Sequence, residues 1–220
     1  MKSLIIIFLL TLPLRSIAQV QKQSSPSPPP LELSDHLEPV DGIFNCYDFQ
    51  VEYYSRVRKM LFENLTDRPE IRFLVMPSFT PENVLDIEYD RNNDKYFLVY
   101  HISEKMIWYN KDWDKTKIIE FRKDINKESV DLIKTLFKRA ILQTKFYDSE
   151  LLGLDGETYY FSYFDNGLKT GSVWSPNGRT KMGRLVNIGS ELIDLTKKDE
   201  KPVLIDGKLK QDILDLTNKL

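Results

Sequence analysis

The stretch from Glu157 to Trp174 restricts the possible fold more than any other part of the chain. It consists of two runs of strand-forming residues, ETYYFSYF and LKTGSVW, joined by Asp165, Asn166 and Gly167. A short Asn-Gly connection between two such runs is a strong hairpin signal, because these residues readily adopt the positive φ angles of a tight turn. The sequence therefore predicts an antiparallel β-hairpin here.

Several further segments are typical of antiparallel strands. In NVLDIEYD, the apolar residues Leu85, Ile87 and Tyr89 alternate with acidic ones, which indicates one buried and one hydrated face. RNND turns the chain, and KYFLVYHI returns it with apolar residues on both faces, as in a central strand. EIRFLVMP, EKMIWYN and TKIIEFRK are also predicted to be strands. We expect NVLDIEYD, KYFLVYHI, EKMIWYN and TKIIEFRK to form an antiparallel meander.

Apolar residues at helical spacing predict the helices. The first helix lies in YDFQVEYYSRVRKMLFENL, with Phe49, Tyr53 and Val57 expected in the core. A second spans about residues 127–143, and a third carries Gly189 within its apolar stripe, which indicates close approach to the sheet. The tail PVLIDGKLKQDILDLTNKL predicts a short strand and an amphipathic helix, which either packs on the domain or binds a partner.

The expected fold is a single α+β domain with an antiparallel meander sheet of about five to seven strands. Two to four helices are expected to pack mainly on one face of this sheet.

The N-terminus is typical of an export signal. Residues 1–18 contain one cation, an apolar run and small residues near Ala18, a layout too short for a membrane span. Residues 19–39 are rich in Ser and Pro and are predicted to be a flexible leader. We therefore expect the domain to cover residues 40–220 and the mature protein to be periplasmic or secreted, without a membrane span.

Composition narrows the possible functions. The chain has 31 basic and 33 acidic residues, a net charge of −2, which does not favour binding to nucleic acid. One cysteine cannot form an internal disulfide, and two histidines without metal-ligand spacing predict neither a metal nor a cofactor.

Cys46 and His101 are the only candidates for nucleophilic chemistry. A cysteine ahead of a helix followed by a histidine on a strand resembles NlpC/P60 peptidoglycan hydrolases, which implies a cysteine-dependent cell-wall or peptide hydrolase. The resemblance covers only these two residues, and Tyr47 and Asp48 stand where that family has Ser-Gly. We therefore predict a structural role for both residues and keep the hydrolase as an alternative.

A longer resemblance covers most of residues 70–197. The segment GLDGETYYFSYFDNGLKTGSVWSPNGRTKMGRLVNIGSEL, with PSFTPENVLDIEY and EKMIWY upstream, resembles a family of uncharacterised exported bacterial proteins that share this C-terminal module. The resemblance implies a domain and no particular activity.

Aromatic residues supply the remaining candidates. They are interpreted as core residues that pack the helices on the sheet or, alternatively, as walls of a binding groove. The candidate ligand-binding residues are Trp108, Tyr109, Tyr159, Tyr163, Trp174 and Arg179. The expected function is a non-catalytic binding or interaction domain for a protein, peptide or glycan of the cell envelope, and an inhibitor or immunity protein is a further alternative.

Overall fold

The structure is a computed structural model, and it describes residues 35–40, 48–147, 155–198 and 202–220. The predicted signal peptide, most of the leader and Cys46 lie outside the described residues. The strands are β1 (Glu38–Pro39), β2 (Ile71–Pro77), β3 (Asn83–Asp90), β4 (Lys95–Ser103), β5 (Ile118–Ile125), β6 (Glu157–Phe164) and β7 (Leu168–Trp174). The helices are α1 (Asp48–Leu61), α2 (Lys127–Leu142), α3 (Lys181–Lys197) and α4 (Gly207–Lys219), with a single 3-10 turn at Trp113–Lys115.

All seven strands form one antiparallel sheet, in the order β1-β7-β6-β2-β3-β4-β5. Strands β2 to β5 form a meander, which includes β2 but not the strand that the sequence predicts at EKMIWYN. The predicted hairpin joins the sheet on the other side of β2, through pairing of β6 with β2. At its turn, Asn166 and Gly167 have φ values of 52° and 136°, so both adopt the positive angles that the Asn-Gly signal predicts. The α+β prediction is confirmed.

One face of the sheet carries the larger apolar core, and α2, α3 and α4 cover it. Phe73 of β2 and Phe161 of β6 lie in this core with Phe137 of α2, and all three are fully buried. A Cβ atom on Gly189 would lie 2.5 Å from the Phe73 ring, so this glycine allows α3 to approach the sheet closely, as the sequence indicates. The tail helix α4 also packs here, with Ile213 and Leu216 fully buried.

The opposite face carries α1 and a smaller apolar cluster. Val57 and Leu61 of α1 pack there with Met76, Val84 and Ile107. Four helices therefore divide three to one between the two faces. Among the described residues, no helix has the length and apolar character needed to cross a membrane.

Two segments differ from what the sequence indicates. EKMIWYN is not a strand: after β4 ends at Ser103, residues 104–117 form a loop of turns that leads to β5. Residues 35–39, assigned to the end of the leader, contribute to the fold, since β1 pairs with β7 and Leu37 is fully buried. Phe49, expected in the core, is 56% exposed.

Candidate functional site

Trp108 and Tyr109, two of the predicted binding residues, lie next to each other on the loop between β4 and β5, beside α1. The Trp108 ring contacts Tyr53 edge-on at 4.5 Å between centroids and Phe49 at 5.9 Å. The centroid of the Tyr109 ring lies 6.4 Å from that of the Trp108 ring. We name Phe49, Tyr53, Trp108 and Tyr109 the aromatic surface.

Three of the four side chains of the aromatic surface are exposed. Phe49 is 56% exposed, Trp108 39% and Tyr109 61%, whereas Tyr53 lies beneath them and is half-buried. Neighbouring exposed aromatic residues are enriched at sites that bind proteins, peptides or glycans. Edge-on contacts among the rings also limit their rotation, so the surface is partly ordered before any partner arrives.

Glu82 holds this surface in place from below. Its side chain is fully buried between β3 and the loop, and it accepts three hydrogen bonds. The Tyr53 hydroxyl donates to Oε1 at 2.8 Å, the Ile107 amide donates to Oε2 at 2.7 Å, and the Trp108 amide donates to Oε1 at 3.1 Å. One carboxylate thereby ties α1 and the loop to the sheet, and its donors offset the cost of burying it.

The Tyr53 hydroxyl is not an acid at neutral pH. Burial, together with the charge of Glu82, raises the pKa of Tyr53 well above its usual range. The hydroxyl therefore remains a donor to Glu82, and the pair acts as an anchor rather than as an acid and base.

A groove of about 560 Å³ lies between α1 and the 3-10 turn. Its lining residues are Val51, Glu52, Ser55, Arg56, Lys59 and Trp113. Arg56 and Lys59 both lie over the Trp113 ring, at 5.5 Å and 5.4 Å from its centroid, and Arg56 also pairs with Glu52. This Trp113 groove thus combines an aromatic wall with cations, which suits a ligand that carries a carboxylate beside an apolar group.

Tyr159 and Tyr163 do not belong to this site. Both point from β6 to the face covered by α2 and α3, where Tyr159 stacks on Phe73 at 5.9 Å and Tyr163 is fully buried. Tyr163 is a core residue, and Tyr159 is partly buried against the core.

Trp174 lies at the end of β7, separated from β3 by β6 and β2, which places it roughly 14 Å from the strand that follows Glu82. The Trp174 indole lies against Gly156, because a Cβ atom added to Gly156 would be 2.6 Å from Nε1 of Trp174. The structure therefore does not join Trp108, Tyr109 and Trp174 in one groove.

Arg179 lies in the turn before α3, where the sequence suggests that free helix amides receive an anion. That position is filled from within the chain. The Asp35 carboxylate accepts hydrogen bonds from the amides of Lys181 at 2.8 Å and Met182 at 2.9 Å, and the Thr180 hydroxyl accepts from Gly183.

His101 lies on β4 under the C-terminal end of α1 and is 2% exposed. Its Nδ1 is 2.9 Å from the carbonyl oxygen of Leu61, and because a carbonyl only accepts, Nδ1 carries the proton. Nε2 is 3.9 Å from the Glu120 carboxylate. The imidazole thus provides a hydrogen-bond donor for a carbonyl group in the last turn of α1. This turn lies about 20 Å along the helix from Asp48. Cys46 lies outside the described residues.

A second buried polar cluster lies beside His101 on the same face. Arg72 binds Asp86 through two hydrogen bonds of 2.8 Å and 2.6 Å, and its guanidinium also donates to the Thr66 carbonyl and stacks on Phe62. Burial raises the pKa of Asp86 to about 6, while the bonds to Arg72 oppose the rise. These contacts fasten the segment after α1 to the sheet.

Sequence reasoning missed Glu82, Phe49 and Trp113 as parts of the site. In the sequence, Glu82 looks like a surface carboxylate in a turn. Its position directly before a strand is the only sequence signal for its burial. Within the described part of the chain, no three His, Cys, Asp or Glu side chains come together in a way that would hold a metal ion. Compared with protein families, curated proteins and solved structures, the chain matches none of them.

Proposed function

We propose that this protein is an exported, non-catalytic binding domain that takes a protein, peptide or glycan of the cell envelope on its aromatic surface. The observation that supports the proposal is the combination of exposed rings on Phe49, Trp108 and Tyr109 with a backbone fixed by the buried Glu82. A surface that is ordered before binding loses less entropy when a partner arrives. The adjacent Trp113 groove extends the contact area.

The buried polar groups favour binding over catalysis. Glu82 and Asp86 are fully buried and engaged with donors, and His101 donates to a backbone carbonyl. A general base has to reach the proton that it removes. Glu82 and His101 instead connect the loop and α1 to the sheet, and Asp86 holds the Arg72 guanidinium that binds the segment after α1.

Binding is tested with the immobilised mature protein and three separate probes: an envelope protein extract, soluble peptidoglycan fragments and a random peptide library. The double substitution Trp108→Ala with Tyr109→Ala is expected to reduce retention of the bound probe at least tenfold, because it removes the two most prominent rings. Phe146→Ala is the control, since Phe146 is also a large aromatic residue, is 68% exposed and follows α2.

Three results contradict the proposal. The first is retention that the double variant leaves unchanged, and the second is no retention of any probe by the wild-type protein. The third is hydrolysis of the peptidoglycan fragments or peptides that disappears in Cys46→Ala, which would favour the hydrolase instead.

Export is tested separately. Expression of the whole chain in a bacterium is expected to place the protein in the periplasm or the medium, with a mass that corresponds to a start at Gln19. A cytoplasmic protein that retains residues 1–18 would contradict this part of the proposal.

A further inference from the structure

Residues 35–39 lie in a groove on the far side of the molecule from α1, between the edge of β7, the start of α3 and the segment after α2. We name this stretch the N-terminal strap and the surface that holds it the strap groove.

The strap groove contacts the strap through α3, the segment after α2 and β7. The amides of Lys181 and Met182 bind both carboxylate oxygens of Asp35. Leu37 is fully buried in the main core, and its carbonyl accepts from the Lys145 amide at 3.1 Å. Glu38 and Pro39 pair with Ser172 and Gly171 on β7.

The groove is shaped for this occupant. A Cβ atom on Gly171 would lie 2.9 Å from the Leu37 Cβ and 2.9 Å from Thr144 Oγ1, so only glycine leaves room for the leucine. Tyr147 covers the strap from the other side, because its hydroxyl donates to the His36 carbonyl at 3.2 Å and its ring packs on the imidazole at 4.8 Å.

These contacts follow a known pattern of peptide recognition. An extended segment adds to a sheet edge, one side chain fills a pocket, and a carboxylate binds the amides at a helix N-terminus. Ordering five residues costs conformational entropy that offsets part of the gain from these contacts, so we expect the strap to leave its groove more readily than the sheet unfolds.

We propose that the strap groove is a peptide-binding site whose ligands are extended peptides with an Asp two residues before a Leu, and that residues 35–39 occupy it as an intramolecular ligand. The site is distinct from the aromatic surface and does not depend on the function proposed for that surface. When the strap is released, the amides of α3, the edge of β7 and the leucine pocket are free to bind an extended peptide of another chain.

The first test uses hydrogen exchange of the wild-type protein. The amides of Lys145, Lys181 and Met182, whose acceptors belong to the strap, are expected to exchange at least tenfold faster than the amides of Phe73 and Val75 in central β2. Exchange of both groups at one common rate would overturn the proposal, because the strap would then leave only when the whole domain unfolds.

The second test adds a fluorescent peptide with the sequence of residues 33–41. Leu37→Asp in the full chain places a charge in the pocket and is expected to expel the strap, so that this variant binds the peptide at least tenfold more tightly than the wild type does. A peptide with Asp35→Asn and Leu37→Asp is expected not to bind, and Gly171→Val in the Leu37→Asp chain is expected to abolish binding.

Absence of peptide binding to a folded Leu37→Asp variant overturns the proposal, and so does equal binding of the altered peptide. If Leu37→Asp does not fold, the hydrogen-exchange rates of the wild-type protein are the test of the proposal.

Discussion

The two faces of the sheet are built in different ways. The face under α2, α3 and α4 is mainly apolar, with the rings of Phe73, Phe137 and Phe161 in contact at its centre, although it also buries Lys123. The face under α1 has a smaller apolar cluster and buries charged groups, among them Glu82, Asp86 and Arg72. The first face buries most of the apolar core, and the second fixes the position of one helix and one loop.

The difference matters because the candidate site lies on the second face. Apolar packing is non-directional, whereas the hydrogen bonds of a buried carboxylate require defined donor positions. Glu82 therefore orders the backbone under the aromatic surface in a way that apolar contacts alone do not. The same carboxylate would be costly if any of its donors were lost.

The largest effect is expected on the apolar face. Phe161→Ala removes a fully buried ring that contacts Phe73 at 5.0 Å and Phe137 at 5.3 Å, so the free energy of unfolding should fall by about 3–5 kcal/mol. Urea denaturation measures the loss. Phe79→Ala, at a site 65% exposed, is the control and should change stability by less than about 0.5 kcal/mol. Equal losses in the two variants would show that the apolar face is not the main core.

The next effect depends on pH and concerns Asp86. Its folded pKa of about 6 lies above the ordinary 3.8, so between about pH 4 and 6 the folded protein binds more protons than the unfolded chain does. The free energy of unfolding therefore falls as pH rises through this range, and Asp86→Asn removes the fall. Relative to this variant, the wild type should lose on the order of 2 to 3 kcal/mol between pH 4 and pH 7.

Urea denaturation at pH 4, 5, 6 and 7 measures the difference in the free energy of unfolding between the wild type and Asp86→Asn. Asp90→Asn is the control, because a hydrogen bond from Asn93 lowers the pKa of this exposed carboxyl and its trend with pH runs in the opposite direction. A difference between wild type and Asp86→Asn that stays constant over the range would contradict the prediction.

Glu82→Gln is expected to have an intermediate effect. Whichever way the amide turns, its NH₂ group faces the amide of Ile107 or of Trp108, so one backbone donor loses its acceptor. The free energy of unfolding should fall by about 1–3 kcal/mol, measured by thermal denaturation. Glu104→Gln, an exposed carboxylate on the same loop, should leave it unchanged within about 0.5 kcal/mol. Identical melting of the two variants would mean that Glu82 does not anchor the loop.

The smallest effect is expected at the Trp113 groove. Lys59→Met keeps the apolar stem and removes the charge over the Trp113 ring, so stability should fall by only about 0.5 kcal/mol. Lys111→Met, at an exposed loop residue, is the control. A loss of stability above about 1 kcal/mol, and well above that of the control, would contradict this prediction. It would mean that Lys59 contributes as a buried charged residue does.

Local sequence signals predicted much of this fold. The α2 prediction of residues 127–143 agrees with Lys127–Leu142, because an apolar stripe and an Asn126 cap, which accepts from the Ser129 amide, act within a few residues. The hairpin at Asn166 and Gly167 is equally local. The addition of β6 to β2, in contrast, joins segments more than 70 residues apart, and periodicity carries no information about that pairing.

The candidate site was predicted only in part, and the failures have physical causes. EKMIWYN has the alternation of a strand, but Glu82 binds the amides of Ile107 and Trp108, which diverts the loop from the sheet. Phe49 has the helical spacing of a core residue, yet its ring packs on Trp108 at the surface. Both outcomes depend on a residue that is distant in the sequence.

Backbone ¹⁵N relaxation at Ile107, Trp108 and Tyr109, in the wild type and in Glu82→Gln, tests most directly whether Glu82 orders the aromatic surface before binding. Order parameters of about 0.85 in the wild type, falling below about 0.6 in the variant, are the predicted result. Values below about 0.6 in the wild type, or values that do not change in the variant, would contradict the account.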